Sequence, residues 1–96
     1  MSVYRITEFK TSDMAKVVDF CETLREDVAA AGTESIDVVS VGDGKGFVVA
    51  KYTTQALMEA ATNFNNQAFG KMIVAGLVNA GSIGGQSGEV VFSLYI

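Results

Sequence analysis

The chain has 96 residues, of which 49% are hydrophobic, and it carries a formal net charge of -4 at pH 7. This length predicts a single domain over residues 1–96 with one modest core, and the apolar fraction excludes a disordered chain. The acidic balance disfavours nucleic acid as a partner, because phosphate binding requires clustered lysine and arginine side chains.

Several residue types with characteristic chemistry are missing or rare. The sequence has no histidine, no tryptophan and no proline, and its only cysteine is Cys21. Histidine is the commonest general base near neutral pH and a common metal ligand, so we expect no metal centre and no cofactor. A single cysteine excludes an internal disulfide and is typical of a reducing compartment. We expect Cys21, on the apolar side of a helix, to be an inert core residue.

Nothing in the sequence predicts export or a membrane partner. The first residues, MSVYRITEF, contain no apolar core of a signal peptide, and the longest apolar run, residues 72–78, is too short to cross a bilayer. The sequence therefore predicts a cytoplasmic protein.

The first part of the chain predicts a strand followed by a helix. Residues 3–10, VYRITEFK, are rich in β-branched and aromatic side chains, which are typical of a strand. Thr11 or Ser12 is placed to cap the helix that follows, in which apolar residues recur at helical spacing. Gly32 is the expected residue just after the end of this helix.

The middle of the chain predicts a β-hairpin. Residues 35–41, SIDVVSV, form the expected second strand, and FVVAKY forms the third. Between them, GDGKG supplies residues that tolerate positive φ angles, as a tight turn requires.

The last part of the chain predicts a long helix and a final strand. The helix is expected to begin near Thr53 or Thr54 and to end near Asn79. GSIGGQSG then reads as a flexible loop, and EVVFSLYI as the fourth strand. The order βαββαβ predicts a ferredoxin-like α+β sandwich, with a four-stranded antiparallel sheet and helices on one face.

The second helix carries two apolar stripes that do not line up. The first stripe includes Leu57 and Phe64, and the second includes Phe69 and Met72. At about 100° per residue, both stripes reach the same sheet only if the helix breaks between Phe64 and Phe69. Asn65 and Asn66 lie there, so they are interpreted as the cap of a mid-helix break or as amides that contact a ligand.

The strands are apolar on both sides, which predicts a homodimer. FVVA and VVFSLYI do not alternate with polar residues, although two helices cover only one face of such a sheet. We expect a two-fold dimer joined sheet to sheet, with the C-terminal strand reaching the partner. The alternative is that these residues reflect strand propensity without burial.

The segment KYTTQALMEAATNFNNQAF and the order of elements resemble the dimeric α/β-barrel superfamily. The nearest similarity is to its antibiotic-biosynthesis-monooxygenase-like group, in which a strand ending in an aromatic residue leads into a broken helix. The matching features are Tyr52, Ala56-Leu57, Glu59-Ala60, the Asn65-Asn66 pair and Phe69.

The resemblance implies a fold and a dimer more strongly than it implies an activity. Haem-degrading members use a histidine ligand, which this sequence lacks. Cofactor-free oxygenases of the group often pair an asparagine with a tryptophan. Asn63 or Asn66 matches the asparagine, and the aromatic role would pass to Phe64, Phe69 or Tyr52.

A ligand pocket is predicted between the sheet and the second helix, since this helix is rich in methionine and interrupted by glycine. The alternative is an ordinary filled core. Apolar contacts with the ligand are expected from Phe64, Phe69, Met72 and Ile73. Polar contacts are expected from Arg5, Tyr52, Asn63 and Asn66.

Three functions remain open from the sequence. The first is binding of a small hydrophobic or fatty-acid-like carbonyl compound by a protein of unproven activity. The second is a cofactor-independent monooxygenase or isomerase acting on a phenolic or polyketide-like substrate. The third is a structural or interaction module with a filled core.

Overall fold

Four antiparallel strands form one sheet in the computed structural model, which describes residues 2–96. The strands are β1 (Val3–Lys10), β2 (Thr33–Gly42), β3 (Lys45–Tyr52) and β4 (Gly84–Glu89), and their order across the sheet is β2-β3-β1-β4. The helices pack on one face of this sheet. The predicted ferredoxin-like α+β fold is therefore confirmed.

Each of the two predicted helical segments is divided into two helices. The segments are α1 (Met14–Glu22) with α2 (Arg25–Ala30), and α3 (Gln55–Ala60) with α4 (Thr62–Val74). A single turn of 3₁₀ helix, Ala80–Ser82, precedes β4.

The first helix is capped by a different residue from the one predicted. Asp13 is the N-cap of α1, and its Oδ1 atom accepts a hydrogen bond of 3.2 Å from the Lys16 amide. The prediction of Thr11 or Ser12 was wrong, because the Thr11 hydroxyl instead accepts from the Asp13 amide and fixes the turn before the helix. The predicted start of the second helical segment near Thr53 or Thr54 is confirmed, and Thr54 caps α3 by accepting a hydrogen bond of 3.2 Å from the Leu57 amide at its Oγ1 atom.

The predicted β-hairpin is confirmed, and its turn depends on positive φ angles. Gly42, Asp43 and Gly44 have φ angles of 93°, 55° and 73°. A β-carbon at Gly44 would also collide with the carbonyl oxygen of Thr11. Glycine is therefore required at position 44 for both its backbone angle and its close approach to the chain before α1.

The break in the second helical segment lies earlier than predicted. Ala61 separates α3 from α4, and its amide donates to the carbonyl oxygens of both Leu57 and Met58. Asn65 and Asn66 lie inside α4, so their interpretation as a helix cap was wrong. The break precedes Phe64, so Phe64 and Phe69 belong to one helix, and Leu57 of the first predicted stripe is 38% exposed on α3.

The last strand also lies earlier than predicted. β4 uses the glycine-rich residues that were expected to form a loop, and it pairs with β1 from Val3 opposite Glu89 to Glu8 opposite Gly84. Backbone hydrogen bonds alone hold such an edge strand, so large side chains are not needed. Residues 91–96 lie beyond the start of β1 and therefore have no strand to pair with in the described chain.

The core lies between the sheet and the helices in two clusters. One cluster joins both helical segments to β1 and β3 and consists of Phe9, Val17, Val48, Phe69, Met72 and Val78. The other lies beneath α3 and consists of Val3, Ala50, Tyr52, Met58 and Ala61.

No helix in residues 2–96 covers the opposite face of the sheet, called here the outer face. Cross-strand partners share a face, so Ile6 with Val49 and Phe47 with Val39 lie together on this side. The residues after β4 are also exposed, including Phe92 at 76% and Tyr95 at 89%. The chain therefore presents a broad apolar surface on the side away from the helices.

Candidate functional site

The larger of the two best-defined cavities lies between the helices and the hairpin. It has a volume of about 510 Å³ and is enclosed by α1 and α2 on one side, α4 on another and the strands β2 and β3 beneath. Most of its walls are apolar and come from these elements, including Val28, Ile36, Val48, Ala50, Phe64 and Phe69. It is called the larger cavity below.

The charged residues that line the larger cavity are occupied by partners. Arg25 donates from Nε and Nη2 to the two carboxylate oxygens of Glu22, both at 2.9 Å. Lys51 Nζ lies 3.8 Å from a carboxylate oxygen of Glu34. These side chains are substantially exposed, so their ion pairs contribute little to stability, and a guest in this cavity meets mainly neutral groups.

Tyr52 and Asn65 bring neutral polar groups to the apolar walls. Tyr52 is 3% exposed and lies at the end of β3, where it packs against Met58 and Ala61. Asn65 is half-buried on α4. Buried phenols and amides normally find hydrogen-bond partners, so these two residues are the natural contacts for a carbonyl or hydroxyl group of a ligand.

Asn65 was not among the eight residues expected to line the pocket, although a ligand contact was one of the two interpretations of the Asn65-Asn66 pair. Its position follows from the buried stripe of α4, which contains Ala68, Phe69 and Met72. Counting back three and four residues from Ala68 and Phe69 leads to Asn65. The sequence contained this signal, but the misplaced break assigned Asn65 to a cap.

Cys21 lies on the wall of the larger cavity and remains a thiol near neutral pH. Burial raises the pKa of its thiol, because the thiolate would lose solvation. A nucleophilic cysteine requires the opposite shift, so this geometry fits a structural role for Cys21.

The smaller cavity lies on the other side of α4, above β1 and β4. Its volume is about 400 Å³, and its walls combine one cation, several amides and hydroxyls, and three large apolar side chains. These residues are Arg5, Thr7, Asn65, Asn66, Phe69, Gly70, Ile73, Ile83, Gly85, Gln86 and Ser87. Asn65 and Phe69 line both cavities, so α4 forms the wall between them.

The structure distributes the eight predicted contact residues over both cavities. Tyr52, Phe64 and Met72 line the larger cavity, and Phe69 lines both. The smaller cavity holds the predicted residues Arg5, Asn66 and Ile73. Asn63 is exposed on α4 and lines neither cavity. The eight residues therefore do not form one site.

Residues 2–96 contain neither a cluster of metal ligands nor a helix that could span a membrane. No three side chains among histidine, cysteine, aspartate and glutamate come together as metal ligands there. In the same range, no helix has the length and apolar character needed to cross a membrane.

Solved structures with the same architecture are similar over almost the whole chain. A protein of unknown function from Nitrosomonas europaea has a TM-score of 0.72 at 15% identity, covering 99% of this chain and 94% of its own. A dimeric ferredoxin-like protein from an uncultured marine organism has a TM-score of 0.67 at 16% identity, with coverages of 99% and 92%.

A third similar structure is that of an enzyme. SnoaB, a cofactor-independent oxygenase from Streptomyces nogalater crystallised as an asparagine-to-alanine variant, has a TM-score of 0.63 at 14% identity, with coverages of 97% and 96%. No protein-family model and no curated protein matches the sequence. The predicted resemblance is thus confirmed at the level of the fold.

Proposed function

We propose that this chain forms a homodimer and binds a small, neutral, largely apolar carbonyl compound in the larger cavity. The observation that carries this proposal is the cavity itself, which lies beneath α4 with mostly apolar walls and with the neutral polar side chains Tyr52, Asn65 and Thr33 among its buried or half-buried residues. Small-molecule sites typically occupy about 300–1,000 Å³ and combine apolar walls with a few polar groups. The cavity volume of about 510 Å³ lies within that range.

The chemistry of the walls favours a neutral ligand. Arg25, the cation among the lining residues, is paired with Glu22, so it is not free to balance a carboxylate. Tyr52 offers a hydroxyl donor and Asn65 an amide, which suit a carbonyl or phenol oxygen. The hydrocarbon part of the ligand would contact Phe64, Phe69 and Met72, as the sequence led us to expect.

The outer face of the sheet supports the homodimer. Its apolar residues are uncovered, and the segment after β4 carries Phe92, Leu94 and Ile96 into solvent at exposures of 71% or more. Burial of such a surface against a second copy would remove it from water. The ferredoxin-like protein from the marine organism is described as dimeric, which agrees with this proposal.

Binding can be tested with anthrone, a neutral polycyclic ketone, by following amide shifts in two-dimensional NMR spectra. Ala29 lies on the wall of the larger cavity, so Ala29→Phe should fill it and remove the shifts. Ala30→Phe is the matched control, because Ala30 is exposed on the same helix and lines neither cavity. Shifts that survive in Ala29→Phe would refute binding at this site.

A second candidate function is cofactor-independent oxygenation. The specific observations are the similarity to SnoaB and the presence of an asparagine, Asn65, on the cavity wall. In such a reaction an enolised ketone reacts with O₂, so that anthrone would give anthraquinone and water. The Asn65 amide and the Tyr52 hydroxyl would stabilise the negative oxygen of the enolate.

Oxygen uptake separates the two functions. An oxygenase would consume one O₂ per anthrone, and Asn65→Leu would lower the rate at least tenfold while leaving anthrone shifts in place. A binding protein would show the shifts without oxygen uptake. A structural module would show neither.

A further inference from the structure

We propose that the smaller cavity is a separate binding site for a compact monocarboxylate, with Arg5 as the residue that pairs with the carboxylate. This site differs from the larger cavity in charge, position and ligand class. The proposal does not depend on whether the larger cavity holds a ligand.

Arg5 is a half-buried cation without an acidic partner. Its Nη2 atom donates to the carbonyl oxygen of Met58 at 2.9 Å and to Thr62 Oγ1 at 2.8 Å, which holds the guanidinium in place. Neither ion pair found in residues 2–96 includes Arg5, although the chain has more acidic than basic residues. The remaining guanidinium N–H groups are therefore left for a partner in the cavity, and a carboxylate fits their planar geometry.

Thr7 supplies a second polar group to the smaller cavity. The residue is only 4% exposed. It lines the smaller cavity two residues after Arg5 in β1, so both side chains lie on the same face of the strand. A threonine hydroxyl can donate and accept hydrogen bonds, so it can contact a carboxylate oxygen of a guest in the cavity.

The other walls limit the size and charge of the ligand. Phe69, Ile73 and Ile83 provide an apolar side opposite the polar strand residues, which suits an aryl or short alkyl group. None of the lining residues is acidic, and Arg5 is the single cation among them. One positive charge balances a monocarboxylate, whereas a phosphate dianion would remain partly uncompensated.

Two glycines keep this space open. A β-carbon at Gly70 in α4 would meet no atom within 4 Å, and one at Gly85 in β4 would meet only Thr7 Oγ1, at 3.9 Å. Glycine at an interior position makes a helix less stable than alanine does. The absence of a side chain at Gly70 is therefore not required by packing, and it leaves the cavity free.

The test compares 2-naphthoate with its neutral analogue 2-naphthamide by isothermal titration calorimetry. Arg5 also ties β1 to α3, so its substitution risks unfolding the chain, and Gly70→Leu is the better variant because it fills the cavity without altering Arg5. Gln67→Leu is the matched control, since Gln67 is exposed on the same helix and lines neither cavity.

The proposal predicts that the carboxylate binds at least tenfold more tightly than the amide, and that Gly70→Leu removes this binding while Gln67→Leu retains it. It also predicts weaker binding at higher salt, because the contact is between charges. Equal affinity for the two compounds, unchanged binding in Gly70→Leu, or no binding of 2-naphthoate at millimolar concentration would each overturn the proposal.

Discussion

The guanidinium group of Arg5 donates a hydrogen bond of 2.9 Å to the carbonyl oxygen of Met58, 53 residues further along the chain. Met58 lies in the last turn of α3, and its carbonyl oxygen also accepts a hydrogen bond from the Ala61 amide at the break. The same nitrogen donates to Thr62 Oγ1 in the first turn of α4. One side chain from the middle of the sheet thus fixes the break between two helices.

This contact predicts that Arg5→Met lowers the free energy of unfolding by about 1.5–3 kcal/mol, the contribution of hydrogen bonds to a charged group. Thr62→Val removes one acceptor and leaves the bond to Met58, so its effect should be smaller, about 0.5–1.5 kcal/mol. Urea unfolding measures both values. Equal stability of Arg5→Met and the parent protein would show that the contact does not hold the break.

Two glycines near the end of α4 should respond to alanine in opposite directions. Gly70 has helical backbone angles and open space, so Gly70→Ala should raise the free energy of unfolding by about 0.5–1 kcal/mol. Gly76 has a φ of 74° and ends the helix, and the Leu77 amide behind it donates to Met72. Gly76→Ala should therefore lower stability by about 1–2 kcal/mol. Thermal and urea unfolding measure the change in the free energy of unfolding for each variant. Changes of the same sign would contradict the different backbone roles given to Gly70 and Gly76.

The burial of Cys21 predicts a slow reaction with iodoacetamide. Its raised pKa leaves less thiolate at neutral pH than in the unfolded chain, so the native protein should react more slowly. Because the shift is upward, the native rate should continue to rise with pH after the rate of the unfolded protein has levelled off. Anthrone in the larger cavity should slow the reaction further, and mass spectrometry of the labelled protein measures each rate.

The exposed segment after β4 predicts the behaviour of a shortened chain. Removal of residues 91–96 takes away Phe92, Leu94 and Tyr95, which no part of residues 2–96 covers. We expect the shortened protein to dissociate at concentrations at which the full chain is dimeric. Sedimentation velocity tests this, and Phe47→Lys on the outer face should have the same effect. A parent protein that is monomeric at all concentrations would contradict the proposed dimer.

The sequence predicted the fold because its strongest local signals agree with the tertiary structure. Three features occur where they were expected: the strand of residues 3–10, the turn with Gly42 and Gly44, and the helix start near Thr54. These features depend on neighbours within a few positions, so composition and spacing were sufficient to identify them.

The errors occurred where distant residues determine the structure. The break at Ala61 is stabilised by Arg5 from β1, and no local pattern near Asn65 shows that contact. Similarly, Gly84–Glu89 forms a strand because β1 supplies a partner of that length, although its composition is typical of a loop. The sequence did not distinguish the two cavities, because they are separated by α4. The position of α4 over the sheet depends on both the break at Ala61 and the strand at Gly84–Glu89.

The central claim is that the larger cavity of a dimer holds a small apolar carbonyl compound. Native mass spectrometry of the protein after incubation with anthrone tests it most directly, with Ala29→Phe measured in parallel. We predict a dimer that carries anthrone in the parent protein and a dimer without anthrone in Ala29→Phe. A monomer, or identical masses without anthrone for both proteins, would contradict the claim.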